Sequence, residues 1–516
     1  LGAVIPALRD SKAVKVGQGL KFDQKFLLHY HGLELWPVFD THRASAIVYN
    51  GKTRGHNLWD IYRRELKMEP TVEDLGASNW AGTLSKAQLD YAADDVIHLP
   101  RLREILRAKI LEFGLAKTAL IEFGAILPEA AMELNGFYLD RERWLALAES
   151  NAKQETFYRD KLYAALPHPE GQQPLPGINT GFNLQSPQQL LKSLWKLGLI
   201  APDTAEMTLA MFSDEWPIVA DILKYREYAQ CLKSFGPEYV KNIDPATGRV
   251  HTSFFPFTGA GRYASSKPNL QQIPRGKDFR SCFRAAPGRV LCINDYSQIE
   301  LRIAAELAND ETLLGVYNRG EDAHTQTAAL VSDVPVEQVT KSQRQMAKPV
   351  NFGLIYGMSA DKLRIYAKAT YGVTMSVADA VTFRDRYFNA YRGVADWHRE
   401  IFSHRNRDRG ITRTIGGRLR YLDPDMYNEF SNTPVQGTGA DGLKASLRIV
   451  YHRLKKFPTA KMCHMVHDEI VVEAEPGDAE AVNHEVQLGM IEGMQPFLKK
   501  VPVVVEGGVG ESWAEK

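Results

Sequence analysis

Two acids, Asp295 and Asp468, each stand at the end of a short apolar run, and 173 positions separate them. Residues 289–294 read as a buried strand ending at Asp295. Residues 461–466 and 469–474 read as a hairpin whose turn carries His467 and Asp468. A single antiparallel sheet would bring the two acids together, and residues 501–506 can pair alongside, with Pro502 favouring an edge. An acid at a strand end is, taken alone, an ordinary turn residue. What gives this pair weight is the stretch between, residues 343–357, where Arg344, Lys348, Phe352 and Tyr356 recur every four residues. That spacing holds the four side chains in one slowly turning helical stripe. Two cations followed by two rings suit a nucleoside triphosphate, whose phosphates need fixed charge and whose base needs a flat platform. A lone stripe of this kind would otherwise be read as an amphipathic face. Pro349 falls inside it and predicts a kink or a late helix start.

The length of 516 residues calls for several domains, and 44% hydrophobic with 24% charged residues is ordinary for a globular chain. Bulk charge advertises no polyanionic partner, with 63 Lys plus Arg against 62 Asp plus Glu. Local charge does. Residues 341–368 carry six cations against Asp361, and residues 262–289 carry seven against Asp278, as phosphate contacts require. The four cysteines form no Cys-x-x-Cys pair, so a disulfide or zinc scaffold is not expected. No apolar run reaches the roughly 18 residues of a membrane span. Residue 1 is Leu, which suggests a fragment or a processed chain.

The motif from Asp295 to Arg302, the stripe from Arg344 to Tyr356, and Val466 to Val471 resemble, in this order, motifs A, B and C of the family A DNA polymerases, the bacterial DNA polymerase I group. Thr258 to Arg262, Pro268 to Gln271, Asn432 to Gly437 and Gly508 to Trp513 extend the resemblance over most of the chain. It implies a right-hand polymerase with a thumb, a palm built on an antiparallel sheet and helical fingers. The expected reaction is template-dependent addition of deoxynucleotides to a primer 3′-hydroxyl, in DNA replication or repair. By the resemblance, Asp295, Asp468 and the Tyr296 carbonyl are ligands of two Mg²⁺ ions, for which Mn²⁺ can substitute, and Glu469 is an accessory acid. Gln298, Glu300, His324, Arg344, Lys348, Phe352 and Tyr356 would bind nucleotide, with Lys348 the proton donor to pyrophosphate. Arg262, Asn269, Gln271, Asn432, Gln436 and His467 would meet the primer-template duplex. The expected partners are primer-template DNA and deoxynucleoside triphosphates, acting on a monomer in the cytoplasm or wherever the DNA is held. Glu300 would block a ribose 2′-hydroxyl, which argues against a single-subunit RNA polymerase. A non-catalytic DNA-binding scaffold is disfavoured because both acids and both phosphate cations are present. One departure is Asn428, where the bacterial enzymes commonly carry an Arg.

Residues 1–115 mix apolar runs, Val14 to Val16 and Ala46 to Tyr49, with helical patterns, as an α/β unit would. Val16 to Asp23 and Tyr91 to Asp95 resemble the second and third motifs of DnaQ-like 3′-to-5′ proofreading exonucleases, with an RNase H-like fold. The resemblance assigns Asp23, Tyr91 and Asp95 to that site. Its first motif, Asp-x-Glu, is absent, so the domain is expected to begin partway through and to proofread poorly. The expected order is then thumb over 116–250, palm over 251–320, fingers over 321–425 and palm again over 426–516. Within the thumb, helices are read over 119–135 and 217–235, separated by a Pro/Gly-rich loop over 167–187.

Overall fold

The structure is a computed structural model that describes residues 4–69, 75–169, 182–404 and 410–515. Its centre is a four-stranded antiparallel sheet in the order Lys461–Val466, Glu469–Ala474, Val290–Tyr296, Val505–Gly510. Both faces of the sheet are covered, which explains why the runs feeding it are nearly continuously apolar. Along the Val290–Tyr296 strand, Leu291 and Ile293 face a core containing Phe137, Trp144 and Trp513. Cys292 and Tyr296 face the opposite core, built against Leu443, Leu447, Val486 and Met490. The expected hairpin is present, with His467 and Asp468 between its strands.

The outer strand lies farther along than residues 501–506 suggest. It is Val505–Gly510, paired antiparallel to Val290–Tyr296. Glycine explains the shift: a Cβ on Gly507 would lie 2.2 Å from the Ile293 carbonyl oxygen, so the two backbones approach only where a side chain is missing. Pro502 stays outside the strand, and its carbonyl accepts from Arg302 at 2.9 Å.

Two helices, Tyr427–Arg453 and Ala479–Met494, cover one face of the sheet and pack closely on each other. The strand Val290–Tyr296 is tied to them by the Tyr296 hydroxyl, which donates to the Met490 carbonyl and bonds Ser446 Oγ, each at 2.7 Å. Beyond the sheet stand helices Ala323–Ser332, Lys341–Leu354, Ala360–Tyr371, Val377–Ala390 and Arg392–His404. The Lys341–Leu354 helix starts at a capping box between Thr340 and Gln343 and continues through Pro349, so the late start expected from that proline does not occur. Pro349 is buried on the packed face beside Ala347 and Val350. Tyr356 falls just beyond the last turn, so the stripe is three helical residues and one that follows.

The helix Pro217–Phe235 matches its expected bounds and packs along Arg141–Ala165. The helix read over 119–135 divides at Ala125 into Ala116–Gly124 and Ile126–Asn135. Most of the Pro/Gly-rich loop, residues 170–181, lies outside the described residues. In the N-terminal unit a parallel pair, Lys15–Gly17 with Val38–Asp40, is packed by helices. Ala46 to Val48, read as an apolar run of an α/β unit, belongs to the helix Thr41–Val48, capped by Asp40. All four cysteines are free thiols. Among the described residues, no helix is long and apolar enough to cross a membrane.

A buried ionic cluster joins the N-terminal unit to the rest. The Arg43 guanidinium, on Thr41–Val48, holds both Glu129 and Glu122, and Glu122 also accepts from Arg418 and Lys444. Asp441 completes it, 2.6 Å from Arg418. Three cations and three carboxylates thus compensate one another in an almost completely buried position. Burial pushes the Glu122 carboxyl up, but its three cations outweigh burial and hold it down at about 2.

Candidate active site

In the sheet, Asp295 is paired directly with Glu469, the residue after Asp468, so ladder hydrogen bonds set the separation of the two acids. Burial, the charge of Asp295 and that of Glu300 together push the Asp468 carboxyl up to about 8. Two carboxylates held this close cannot both ionise cheaply without positive charge between them. That is the chemistry of a divalent-cation site with oxygen donors, and the two acids fit one. Gln298 and His467, near the two acids in the chain, adopt positive φ of 51° and 55° without being glycine. Strain of this kind persists only where surrounding structure imposes it.

A cavity of about 510 Å³ opens over the acids. Among the anticipated residues it is lined, besides the two acids, by Arg262, Tyr296, Gln298, Glu300, Phe352, Gln436, His467 and Glu469. Glu300, in the first turn of Ile299–Ala308, accepts from the Tyr356 hydroxyl on one oxygen and from Arg262 on the other. Arg302 does not compete for Glu300. Its guanidinium donates to the carbonyls of Ser297 and Pro502 and lies over the Tyr317 ring. Burial, joined by the charge of Glu300, raises the Tyr356 hydroxyl well above its ordinary value, so it stays a neutral donor.

Arg344 and Lys348 project from the half-buried face of their helix. The Arg344 guanidinium grips Asp322 at 2.8 and 3.2 Å, and Asp322 caps the Ala323–Ser332 helix. Burial pushes the Asp322 carboxyl up, but the donors on Arg344 and Thr325 prevail and hold it down at about 2. His324, on the same helix, is buried and 3.0 Å from the Asn351 amide nitrogen, while the Asn351 oxygen accepts from Thr327 at 2.9 Å. This places the imidazole proton on Nε2. Burial, then the charges of Arg344 and Lys348, depress His324 to about 4, against the opposing pull of Asp322.

Three relatives are informative. DNA polymerase I of Aquifex aeolicus is 35% identical over 97% of this chain and 88% of its own length. DNA polymerase I of Pseudomonas aeruginosa is 34% identical over 100% of the chain, and the thermostable DNA polymerase I of Thermus aquaticus 36% over 74%. The chain covers 58% and 46% of the length of those two. A family model described as DNA polymerase family A matches residues 172–515, and one described as 3′-5′ exonuclease matches residues 1–111. The chain belongs to DNA polymerase family A. The family is one of nucleotidyltransferases. A solved structure, the POL domain of Pol1 from M. smegmatis in complex with DNA primer-template and dNTP, superposes with a TM-score of 0.84 at 26% identity. The superposition covers 99% of this chain and 88% of that one.

Not every anticipated residue points into the cavity of this family A chain. Asn269 caps the short helix Leu270–Gln272, and the Gln271 side chain donates to the Met465 carbonyl, so both brace the loop against the hairpin. Glu469 does line the cavity, but its carboxylate is engaged there, accepting from the Trp513 indole and lying 3.5 Å from Arg280. Asn432 lines a separate cavity with Tyr356 and Asn428, and its Oδ1 is a buried acceptor without a partner among the described residues. Arg275, Arg280, Tyr366 and Tyr371 also line this cavity and were not among the anticipated residues. The two arginines sit in the basic run 262–289, the signal that could have singled them out. The tyrosines carry no comparable signal.

In the N-terminal unit, Asp23 is exposed on Lys21–His31, a helix packed on Ile126–Asn135. Tyr91 and Asp95 share Lys86–Ile97, which packs on Leu99–Glu112. Burial, joined by the charge of Asp40, raises the Asp23 carboxyl, and Asp40 itself accepts from four backbone amides, those of Gly19, Leu20, His42 and Arg43. Its oxygens serve the backbone.

Proposed function

We propose that this chain adds deoxynucleotides to the 3′-hydroxyl of a primer paired with a DNA template, working as a monomer with two Mg²⁺ ions. The observation that carries the reading is the Asp295–Asp468 pair, forced together by sheet register beside a cationic and aromatic helix. Mn²⁺ satisfies the same oxygen donors. Asp295, Asp468 and the Tyr296 carbonyl would hold the ions; the Tyr296 side chain, anchored to Ser446 and Met490, leaves only its backbone for that role. When bound, the ions supply a more acidic primer hydroxyl and screening of the triphosphate charge.

The remaining steps belong to the protein's own groups. Arg344, pre-oriented by Asp322, meets phosphate oxygens with a fork already fixed in direction. His324 stays neutral and offers its Nε2 proton as a hydrogen-bond donor, adding direction without charge. Lys348, one turn beyond Arg344, donates a proton to the departing pyrophosphate. Phe352 and the Tyr356 ring form the platform for the nascent base pair, with Gln298 beside the incoming nucleotide. Arg262, Gln436, His467 and Asn432 face the primer end and duplex, where contacts test pairing geometry rather than sequence. Asn269 and Gln271 support that surface, and Glu469 is an accessory acid. The palm, fingers and thumb bounds follow the divisions given above, and Asp23, Tyr91 and Asp95 are assigned to a weak proofreading site.

Glu300, fixed between Tyr356 and Arg262, occupies the space a ribose 2′-hydroxyl needs. Glu300→Ala should raise kcat/KM for ribonucleotides relative to deoxynucleotides by about tenfold or more, since a clash penalises only the larger sugar. Phe352→Tyr should improve use of dideoxynucleotides, because the added hydroxyl replaces an interaction the missing 3′-hydroxyl would make. Single-nucleotide kinetics with the three sugars decide both; unchanged ratios in both variants would remove the sugar pocket from this site.

A further inference from the structure

Arg262 reaches Glu300 from a tight turn, residues 258–263, and that turn is held at three points: by Asn50 of the N-terminal unit, by Arg418, and by Glu129, itself held by Arg43 of that unit. Asn50 Nδ2 donates to the Gly259 carbonyl at 3.2 Å and to the Leu419 carbonyl at 2.9 Å. Gly261, at φ 83°, lies against the Arg418 side chain so closely that a Cβ would stand 2.8 Å from Arg418 Nε. The Tyr263 hydroxyl donates to Glu129 Oε1 at 2.6 Å, and both Glu129 oxygens are taken up by Arg43 of the N-terminal unit. Glu129 is fully buried, so this contact exchanges with no water.

Arg262 and Tyr263 are consecutive residues leading into the strand Ala264–Ser266, and their side chains reach different partners, Glu300 and Glu129. Because the two residues are adjacent in the chain, anchoring Tyr263 restricts where the Arg262 side chain starts. We infer that Tyr263, through Glu129 and Arg43, is a positioning residue that sets Arg262 on Glu300, so that the N-terminal unit tunes the polymerase's choice of sugar. The inference rests on Glu300 being the sugar gate. The exonuclease-like unit then serves synthesis by contact, independently of any cleavage.

Tyr263→Phe tests it, because the ring keeps its packing near Phe254, and Arg43 still neutralises Glu129 when only the hydroxyl is lost. The expected result is a ribo-to-deoxy kcat/KM ratio raised by about three- to tenfold, with deoxynucleotide kcat within about twofold of the parent. Asn50→Ala, which loosens the same turn at Gly259, should move the ratio in the same direction by less. A purely structural role would lower the melting temperature or the active fraction and leave the ratio unchanged. Glu300→Ala is run alongside. If it shifts the ratio while Tyr263→Phe and Asn50→Ala do not, the positioning role is overturned alone; if it too leaves the ratio unchanged, the gate and the inference fall together.

Discussion

The two acid-bearing regions of this chain are built in opposite ways. Asp295 and Asp468 stand on adjacent strands whose hydrogen-bond ladder dictates their proximity, and the cost appears as a carboxyl raised to about 8. Asp23 and Asp95 ride on helices packed against different neighbours, and Asp40 is committed to capping and backbone amides. A carboxylate acquires chemistry when the scaffold makes it unfavourable to leave uncompensated; burial and the charge of Asp40 also raise the Asp23 carboxyl, but Asp23 and Asp95 stand on separate helices rather than beside each other on paired strands. The second region is also bound into the body of the protein through Arg43, on the helix that Asp40 caps.

The sharpest way to break this contrast is to remove an acid from each region. Asp295→Ala or Asp468→Ala should cut nucleotide incorporation by about 10³-fold or more while leaving primer-template affinity largely intact, because duplex is held through cations on phosphate. Asp23→Ala should leave incorporation at the parent rate, and should change removal of a mismatched 3′ end little, because Asp23 and Asp95 stand on separate helices and Asp40 is committed to backbone amides. Primer extension and a mismatch time course without nucleotides measure the two. Robust Mg²⁺-dependent degradation that disappears in Asp23→Ala would show the N-terminal acids to be a working site.

A second test asks what the N-terminal unit is for. Arg43→Met leaves Glu129 and Glu122 short of a cation inside the protein, where an unpaired charge is destabilising by about 3–5 kcal/mol. Denaturant unfolding followed by tryptophan fluorescence should register that loss across the whole chain, since Glu122 also holds Arg418 and Lys444. A loss confined to a separate early transition would mean that the unit is attached loosely and folds by itself.

Much of this was legible where the physics is local. Apolar runs ending in Asp295 and flanking Asp468 showed the hairpin, because side-chain alternation and turn position are properties of neighbouring residues. The four-residue stripe was legible through Phe352 for the same reason. Tyr356 lies past the helix end, yet still reaches Glu300, because its place depends on the Ile299–Ala308 helix rather than on its own. The ionic cluster was not legible at all: Arg43, Glu122, Arg418 and Lys444 are scattered along the chain and become partners only through tertiary packing. Nor was the shift of the last strand to Val505–Gly510, which follows from backbone approach at Gly507 rather than from hydropathy.

The smallest predicted effect lies within the hairpin that carries Asp468. His464, on Lys461–Val466, is fully buried among Phe137, Phe254 and Trp513, with ring centroids 5.8, 6.1 and 5.1 Å away. Neither of its ring nitrogens has a hydrogen-bond partner among the described residues. Burial, with the charge of Arg280 adding to it, depresses the imidazole to about 3. The unfolded chain, with an ordinary histidine near 6.5, therefore binds a proton that the folded protein refuses between those two values. Stability contributed by this residue is whole above about pH 6.5 and is lost as pH falls, by about 2 kcal/mol at pH 5. His464→Phe keeps an aromatic ring in the same packing and has nothing to protonate. Unfolding free energies at pH 7 and pH 5 should differ less in the variant by about that amount, whatever its absolute stability. Equal acid slopes in the two proteins would mean that His464 is protonated in the folded state, and that the floor of the hairpin is more accessible to water than its packing indicates.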